Sequence, residues 1–458
     1  MDQERIKSRL DHLVQTQRHG ELRGAMMMLN EVDIAEYLET LPPDKMVAVF
    51  RVLPKDMASD VFSYMDNDLR QSLINNASDS EISALVDEMF IDDAVDFLEE
   101  LPAGVVKRVL QNTDPQRRNL INQFLRYPDN SAGSIMTIEY CEAREGITAK
   151  EAMEELRRTG IDKETIYTIY VIDEERRLVG TLPLRKLILA PDSQRVEDLM
   201  DPNVISVSTL DDQETVADTV RKYDLISIPV VDKEKRLVGI ITVDDIVDVI
   251  EEENTEDFQK MAALRPSDSE YLKTSVVQLA RNRIPWLLFL MVSAMFTGAI
   301  ITNFEEVLNH SGEIGVVLTS CIPMLMDTGG NCGSQASTLA IRGLALGEIE
   351  FKDFFRILWK EFRVAIIIGF VLAVANFLRL SYFNFPTFKH IEPLVALTVS
   401  LSVYLTTIIA KAIGCTLPLL AKRIHLDPAL MASPLITTMV DACSLTILFN
   451  VATHVLKL

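Results

Sequence analysis

Residues 284–304 read IPWLLFLMVSAMFTGAIITNF, an unbroken stretch without a single charge. A helix of about 20 mostly apolar residues crosses the hydrocarbon of a bilayer, so this stretch places the chain in a membrane. Four further segments follow it. Residues 314–341 hold one charge, Asp327; 364–378 hold none, with 380–385 available as an extension; 393–410 hold none; 429–456 hold only Asp441. These predict an α-helical membrane protein with five transmembrane helices.

Basic residues sort the two sides, because cytoplasmic loops carry the excess of Lys and Arg. Arg281 and Arg283 precede the first span, and the turn at 303–313 has no basic residue. Arg342, Lys352, Arg356, Lys360 and Arg363 lie between spans two and three; only Arg379 and Lys389 follow span three; Lys422 and Arg423 precede span five. The alternation predicts a multi-pass protein of the plasma membrane, with a cytoplasmic N-terminus and an extracytoplasmic C-terminus. Met1 to Lys7 is charged rather than apolar, so the expectation is that the preceding half stays on the side where it is made. Phe351, Phe354, Phe355, Leu358, Trp359 and Phe362 read as one side of an interfacial amphipathic helix.

The part before the spans has a different character. Residues 1–270 carry 31 basic and 56 acidic residues, a balance of −25, against 14 and 11 in the remainder. Such acidity argues against nucleic acid as a partner, which needs basic surface. It makes divalent cations the natural counter-charge. The five cysteines and six histidines show no zinc-ligand spacing, and the cysteines read as buried small hydrophobes.

Within the spans two features are polar. Ser433, Thr437 and Asp441 recur every four residues and so share one helical face. An ionisable group at mid-span faces water or a partner, and hydroxyl oxygens above a carboxylate suit a hard cation. The other reading of Asp441 is a protonated acid hydrogen-bonded to a neighbouring helix. The second feature is PMLMDTGGNCGSQ, residues 323–335. A proline and three glycines weaken a helix, so Gly330 is a candidate for a freed backbone carbonyl, with Asn331 and Gln335 adding side-chain oxygens. The competing reading is helix packing through the small pair Gly329 and Gly333. A small hard dication gives up its waters reluctantly, so a path for one should surround a hydrated ion with outer oxygens. Five helices enclose a pore poorly, which favours a homodimer.

Residues 1–130 read as an all-helical superhelix. Leu41-Pro42, Leu53-Pro54, Met65-Asp66, Leu101-Pro102 and Thr113-Asp114 fall on a twelve-residue grid of helix starts. Asp92 and Asp96 share a helix face there, either a solvated surface or a cation-bridged contact. Residues 131–250 repeat internally. Ile169-Tyr170-Val171-Ile172-Asp173, continuing to Arg177-Leu178-Val179-Gly180, returns 59 residues later as Ile228-Pro229-Val230-Val231-Asp232 and Arg236-Leu237-Val238-Gly239. Each unit reads strand, acidic turn, strand, helix, and an acidic run at 250–258 leads towards the first span. This repeat resembles a tandem cystathionine-β-synthase (CBS) pair, a regulatory α/β module that commonly binds adenine nucleotides.

The whole order, together with Gly329-Gly330-Asn331-Cys332-Gly333-Ser334-Gln335 and Asp427-Pro428-Ala429-Leu430 leading to Asp441, resembles the MgtE family of magnesium channels. The resemblance implies a cytosolic helical N domain (1–130), CBS domains (131–195 and 196–254), a connecting plug helix (255–283) and a five-helix pore domain (284–458). It implies a homodimer in the lipid bilayer that takes up Mg2+, with Asp441 and Asn331 on the ion path and a candidate ATP site at the CBS pair. It maps cytosolic magnesium sites onto Asp92 and Asp96, onto Asp212, Asp224, Asp245 and Asp248, and onto Glu253, Glu256 and Asp257; their filling closes the path. Ser433 and Cys332 depart from the family pattern, standing where an amide and a hydroxyl are expected. Three alternatives stay open on the sequence. One is a carrier exchanging Mg2+ or another divalent cation for Na+ or H+. Another is a CBS-gated transporter of a different solute, against which the lack of Lys or Arg within the spans argues. The last is a membrane-anchored nucleotide sensor. No nucleophile–base pair or phosphate loop appears, so the chain reads as a non-enzyme.

Overall fold

From Arg18 onward the N-terminal helices start at steps of twelve residues. In the structure, a computed structural model that describes residues 3–99, 101–267, 271–272, 274–305, 312–382, 391–431 and 433–457, a first helix α1 (Gln3–Gln15) precedes nine short ones. They are α2 (His19–Met26), α3 (Glu31–Glu39), α4 (Pro43–Phe50), α5 (Lys55–Ser63), α6 (Asn67–Asn76), α7 (Asp79–Glu88), α8 (Ile91–Glu99), α9 (Ala103–Asn112) and α10 (Pro115–Phe124). Arg18, Asn30, Pro42, Pro54, Asp66, Ser78, Pro102 and Asp114 occupy the caps. The grid seen at the prolines therefore extends to positions where the proline signal is missing. Different chemistry serves each step. Pro42 and Pro54 hold the extended approach, whereas Asn30 and Asp114 accept from backbone N–H groups. Ser78 and Glu81 form a capping box. The Glu81 carboxyl is pulled down to about 2 by the Ser78 backbone N–H and by Arg51.

The repeat folds as two matching sheets. The first holds β1 (Cys141–Arg144), β2 (Thr168–Ile172) and β3 (Leu178–Pro183) with α11 (Ala149–Thr159) and α12 (Leu184–Leu189); a short α13 (Val196–Leu199) follows. The second holds β4 (Val207–Ser208), β5 (Ser227–Val231) and β6 (Leu237–Thr242) with α14 (Gln213–Tyr223) and α15 (Val243–Met261). In both, the first strand pairs parallel to the second, and the second antiparallel to the third. The two units interlock reciprocally. Leu178 N–H donates to Lys235 and Leu237 N–H donates to Arg176. Met200 closes over Gly180 and Met136 over Gly239, leaving no room for a side chain at either glycine. The N-terminal helices and the second sheet share one apolar core running from Leu10 through Phe62 and Phe97 to Val230 and Ile246.

The chain forms two compact units, residues 1–250 and 251–458. The second unit contains the end of α15 and five long helices: α16 (Val276–Asn303), α17 (Glu313–Ala345), α18 (Phe354–Tyr382), α19 (Pro393–Arg423) and α20 (Ser433–Leu456). Among the described residues four stretches, 276–303, 351–382, 393–423 and 428–456, are long and apolar enough to cross a membrane. The fifth expected span, α17, has the length but not the apolarity, because its middle is polar. α17 packs on α19 and α20, α18 on α19, and α16 on α20. The outer faces of α16 and α18 present Leu287, Met295, Phe296, Ile367 and Phe370 outward, as lipid-facing helices do.

Three expectations need correction. The glycines at 329–333 do not break α17, which runs unbroken through them and through Pro323. The aromatic stretch from Phe351 is no separate interfacial helix: a short turn at Phe351–Asp353 leads directly into α18. Phe355 and Trp359 thus ring the first turns of the span itself. Finally, α19 continues beyond 410 to Arg423 and buries a lysine, Lys411, in its middle. Lys389 and most of the turn at 303–313 lie outside the described residues, as does the side chain of Ser433.

Candidate cation path and acidic regulatory clusters

The polar stretch of α17 meets α20 along a seam of glycines. A Cβ at Gly330 would strike Thr437, one at Gly333 would strike Ile436, and one at Gly329 would strike Thr406, Ser444 and Val440. Ser337 Oγ donates to the Met431 carbonyl at 3.0 Å and fixes the helices at one end. The packing reading of the glycines is therefore the one the structure supports. Gly330 is buried, and inside an unbroken helix its carbonyl is committed to the helix ladder. It supplies close approach rather than a free oxygen.

The neighbouring face of α17 is polar and uncovered. Asp327, Asn331 and Gln335 step along it four residues apart, and all three are exposed. Across the seam Thr437 and Asp441 are half-buried on α20, with the Thr437 hydroxyl donating back to the Pro434 carbonyl at 2.9 Å. An Asp at the centre of a lipid-facing helix costs about 2.5–3.5 kcal/mol. This stripe consequently belongs against water or against protein, not hydrocarbon.

Sequence reasoning missed a second polar element in the same bundle. Lys411 is 3 % exposed, and its Nζ lies 3.6 Å from Glu361 Oε2 of α18. Lys411 flanks the apolar run at 393–410, so in the sequence its charge reads as the end of a span. The inferred lack of buried Lys or Arg in the spans is thereby overturned.

Where α15 leaves the sheet, its acidic end meets the loop before α20. Lys260 Nζ sits 2.6 Å from Asp427 Oδ2 and 2.8 Å from Glu256 Oε1. Burial alone would lower the Lys260 ammonium, but these two carboxylates hold it above its usual value. Burial first, and then the charge of Asp427, raises the Asp257 carboxyl; Glu253 and Glu256 add to it. Glu253, Glu256 and Asp257 are thus brought to one place, joined by Asp427 and Lys260, which sequence reasoning left out of the site.

A second acidic cluster lies where the N-terminal helices meet the repeat. Asp92 and Asp93 of α8 face Asp244 and Asp245 at the start of α15, with Glu164 and Glu139 beside them. Asp93 accepts from Ser63 Oγ at 3.1 Å, and Asp245 from Thr242 Oγ1 at 2.6 Å. Burial raises the Asp92 carboxyl well above its normal range, and Asp245 and Asp93 raise it further. Asp245 is pushed up to about 6, chiefly by burial, despite the Thr242 hydrogen bond. Glu164 reaches about 8, by burial and then by Asp245 and Asp244. Glu164 carried no sequence signal, because only the fold brings its loop to α8.

The remaining expected residues are more scattered. Asp96 and Asp248 are exposed, one turn along from Asp92 and from Asp244. Asp212 caps the start of α14 by accepting from Glu214 N–H at 3.0 Å. Asp224 closes the other end of that helix in the left-handed region, φ 51°. Those two stand about 18 Å apart along one helix, so they do not converge within one chain. Among the described residues no three His, Cys, Asp or Glu side chains stand in a geometry that would hold a metal ion. All five cysteines are free thiols.

Comparison with known proteins follows this order of parts. A family model described as a divalent cation transporter, MgtE, matches residues 322–451. The MgtE intracellular N domain matches 29–130, and the CBS domain matches 132–192 and 196–252. The magnesium transporter MgtE of Thermus thermophilus is 36 % identical over 96 % of this chain and 97 % of its own length. That of Bacillus subtilis is 32 % identical over 95 % of each. Among solved structures, the soluble part of a magnesium transporter covers 55 % of this chain and 99 % of that one, at 32 % identity and a TM-score of 0.53. The cytosolic domain of the Mg2+ channel MgtE in complex with ATP covers 53 % of this chain and 99 % of that one, at 36 % identity and a TM-score of 0.51.

Proposed function

Because the chain belongs to the MgtE family of divalent cation transporters, we propose that it carries Mg2+ across the membrane along the polar face of α17 and α20. One observation supports this above the others: Asp327, Asn331 and Gln335 form an exposed polar stripe on a helix whose neighbours are built for lipid. Such a stripe becomes tolerable when a second copy of the chain faces it and water fills the gap. The reading is therefore a homodimer whose ion path lies between copies, with Asn331, Thr437 and Asp441 offering oxygens to a hydrated ion. α17 serves as the fifth spanning helix, and the C-terminus lies outside the cell.

The acidic clusters supply the control. Asp92 and Asp245, with Asp96 nearby, form one cytosolic cation site; Glu253, Glu256 and Asp257 with Asp427 form another; Asp212, Asp224 and Asp248 contribute to a third only if another chain supplies partners. At Asp92, Asp245 and Asp257 burial and like charge disfavour the ionised form, and a dication relieves both penalties. Magnesium thus favours whichever arrangement gathers the carboxylates, and its differential affinity sets how far the equilibrium moves. Filling of these sites closes the path. ATP occupies the CBS pair, where the first repeat places Arg185 and Lys186 at the position of Asp244 and Asp245 in the second; those cations suit its phosphates.

The test is growth of a magnesium-auxotrophic strain. Wild-type protein should restore growth at low magnesium, and Asp441→Ala at equal membrane abundance should not. Full rescue by Asp441→Ala would remove the path from α20.

A further inference from the structure

Asp327 belongs to the polar stripe of α17 and is the one charge within the middle of that helix. Its level in the membrane follows from the seam. Ser337 bonds Met431, Gly330 abuts Thr437, and Gly329 abuts Val440 and Ser444. Numbers fall along α17 as they rise along α20, so the helices run antiparallel with a fixed register. In that register Asn331 stands level with Thr437. One turn on, about 6 Å along the axis, Asp327 stands level with Asp441. Asp327 is also within electrostatic reach of Asp441. It lies on the exposed face with Asn331 and Gln335, whereas Gly329, Gly330 and Gly333 turn inward. Among the described residues no Lys or Arg forms an ion pair with it.

We propose that Asp327 is a second ion-facing carboxylate level with Asp441, and that the two together set the preference for dications over monovalent cations. The inference rests on the path proposed above. Two carboxylates at one level of a low-dielectric passage repel each other strongly. A single monovalent cation leaves that repulsion largely in place, and a dication removes it. A passage with Asp441 alone would lose this distinction while keeping the oxygens that admit a hydrated ion.

The experiment uses the full-length protein in liposomes. It measures Mg2+ uptake against external Mg2+, and Na+ influx in chelator and its block by added Mg2+. Wild type, Asp327→Asn, Asp327→Ser, Asp327→Glu and Asp441→Asn are compared. The neutral Asp327 variants should need about tenfold more Mg2+ for half-maximal uptake and for block of Na+ influx. Asp327→Glu should stay near wild type. The ratio of Mg2+ to Na+ flux is independent of how much protein inserts, so a merely structural role of Asp327 would leave it unmoved. Wild-type values for both neutral variants, with Asp441→Asn inactive, would overturn the role of Asp327 and leave the path standing. Wild-type Mg2+ uptake that survives Asp441→Asn would instead overturn the path, and this inference with it.

Discussion

Replacing Glu361 by Gln leaves Lys411 as an unpaired charge in the middle of the helical bundle. Lys411 is 3 % exposed, and its ammonium lies 3.6 Å from Glu361 Oε2. That oxygen is itself buried and accepts no hydrogen bond, so the lysine is its counter-charge. At an effective dielectric of ~20, two unit charges at this distance attract by about 4–5 kcal/mol, and breaking one side of a buried pair costs about 3–5 kcal/mol. In a helical domain of this size that shifts the melting midpoint by on the order of 10 °C. The assay is thermal unfolding of the full-length protein in detergent, followed by the loss of its monodisperse elution peak. Lys411→Met alone should be similarly destabilised, since it strands the Glu361 carboxylate. The double variant Glu361→Gln with Lys411→Met should recover most of the loss, because no charge then remains buried. If Glu361→Gln melts within about 2 °C of wild type, or if the double variant is worse than both singles, the pair is not what holds α18 to α19 at this level.

Three further outcomes are expected. Lys260→Met removes contacts of 2.6 Å and 2.8 Å to Asp427 and Glu256; hydrogen bonds between charged groups are worth about 1.5–3 kcal/mol. Chymotryptic cleavage after Phe258 or Leu264 in magnesium-free buffer should therefore accelerate roughly ten- to a hundredfold, and added Mg2+ should slow it again. The cluster around Glu164 should make stability depend on pH. Its carboxyl rises from 4.5 to about 8 in the fold, so between those values the folded chain binds more protons than the unfolded one, and stability falls as pH rises. Without magnesium, midpoints of unfolding should decline from pH 5 to pH 8, and Glu164→Gln should flatten the slope. Ser78→Ala removes the capping box of α7 and should cost about 1 kcal/mol, read as faster hydrogen exchange of the α7 amides.

What the sequence revealed follows from how local each signal is. The twelve-residue helix starts were legible at Pro42, Pro54 and Pro102 because a proline speaks without context. The steps at Asn30 and Ser78 use side-chain caps, which also occur in loops, so they do not declare the grid by themselves. The repeat was legible because Arg-Leu-Val-Gly recurs in order, and the strands Thr168–Ile172 and Ser227–Val231 return 59 residues apart as expected. In the membrane half, apolar runs located the long helices, the inner ones included, but not which of their polar residues are buried. α17 is polar along an uncovered stripe at Asp327, Asn331 and Gln335, and Lys411 reads as a boundary because its partner lies on another helix. The seam between α17 and α20 depends on which small residue meets which neighbour, and no local pattern encodes that register. Glu164 and Asp427 join their clusters only through the chain's long-range path, so neither could be picked out in advance.

The crossed methionines carry a consequence for how the chain is made. Met136 emerges long before Gly239, the glycine it covers, and Met200 reaches back to Gly180. The first sheet closes once Met200 has emerged, but the second cannot seal Gly239 without Met136, and the loop to be closed there is about a hundred residues long. Closing such a loop costs entropy before any contact repays it. The second sheet also completes the core of the helices that precede both. That shared core must thus mature late and as one cooperative event, just as the first apolar span begins to appear. Excising either repeat would leave the other unsealed, so the pair is inherited, folded and lost together.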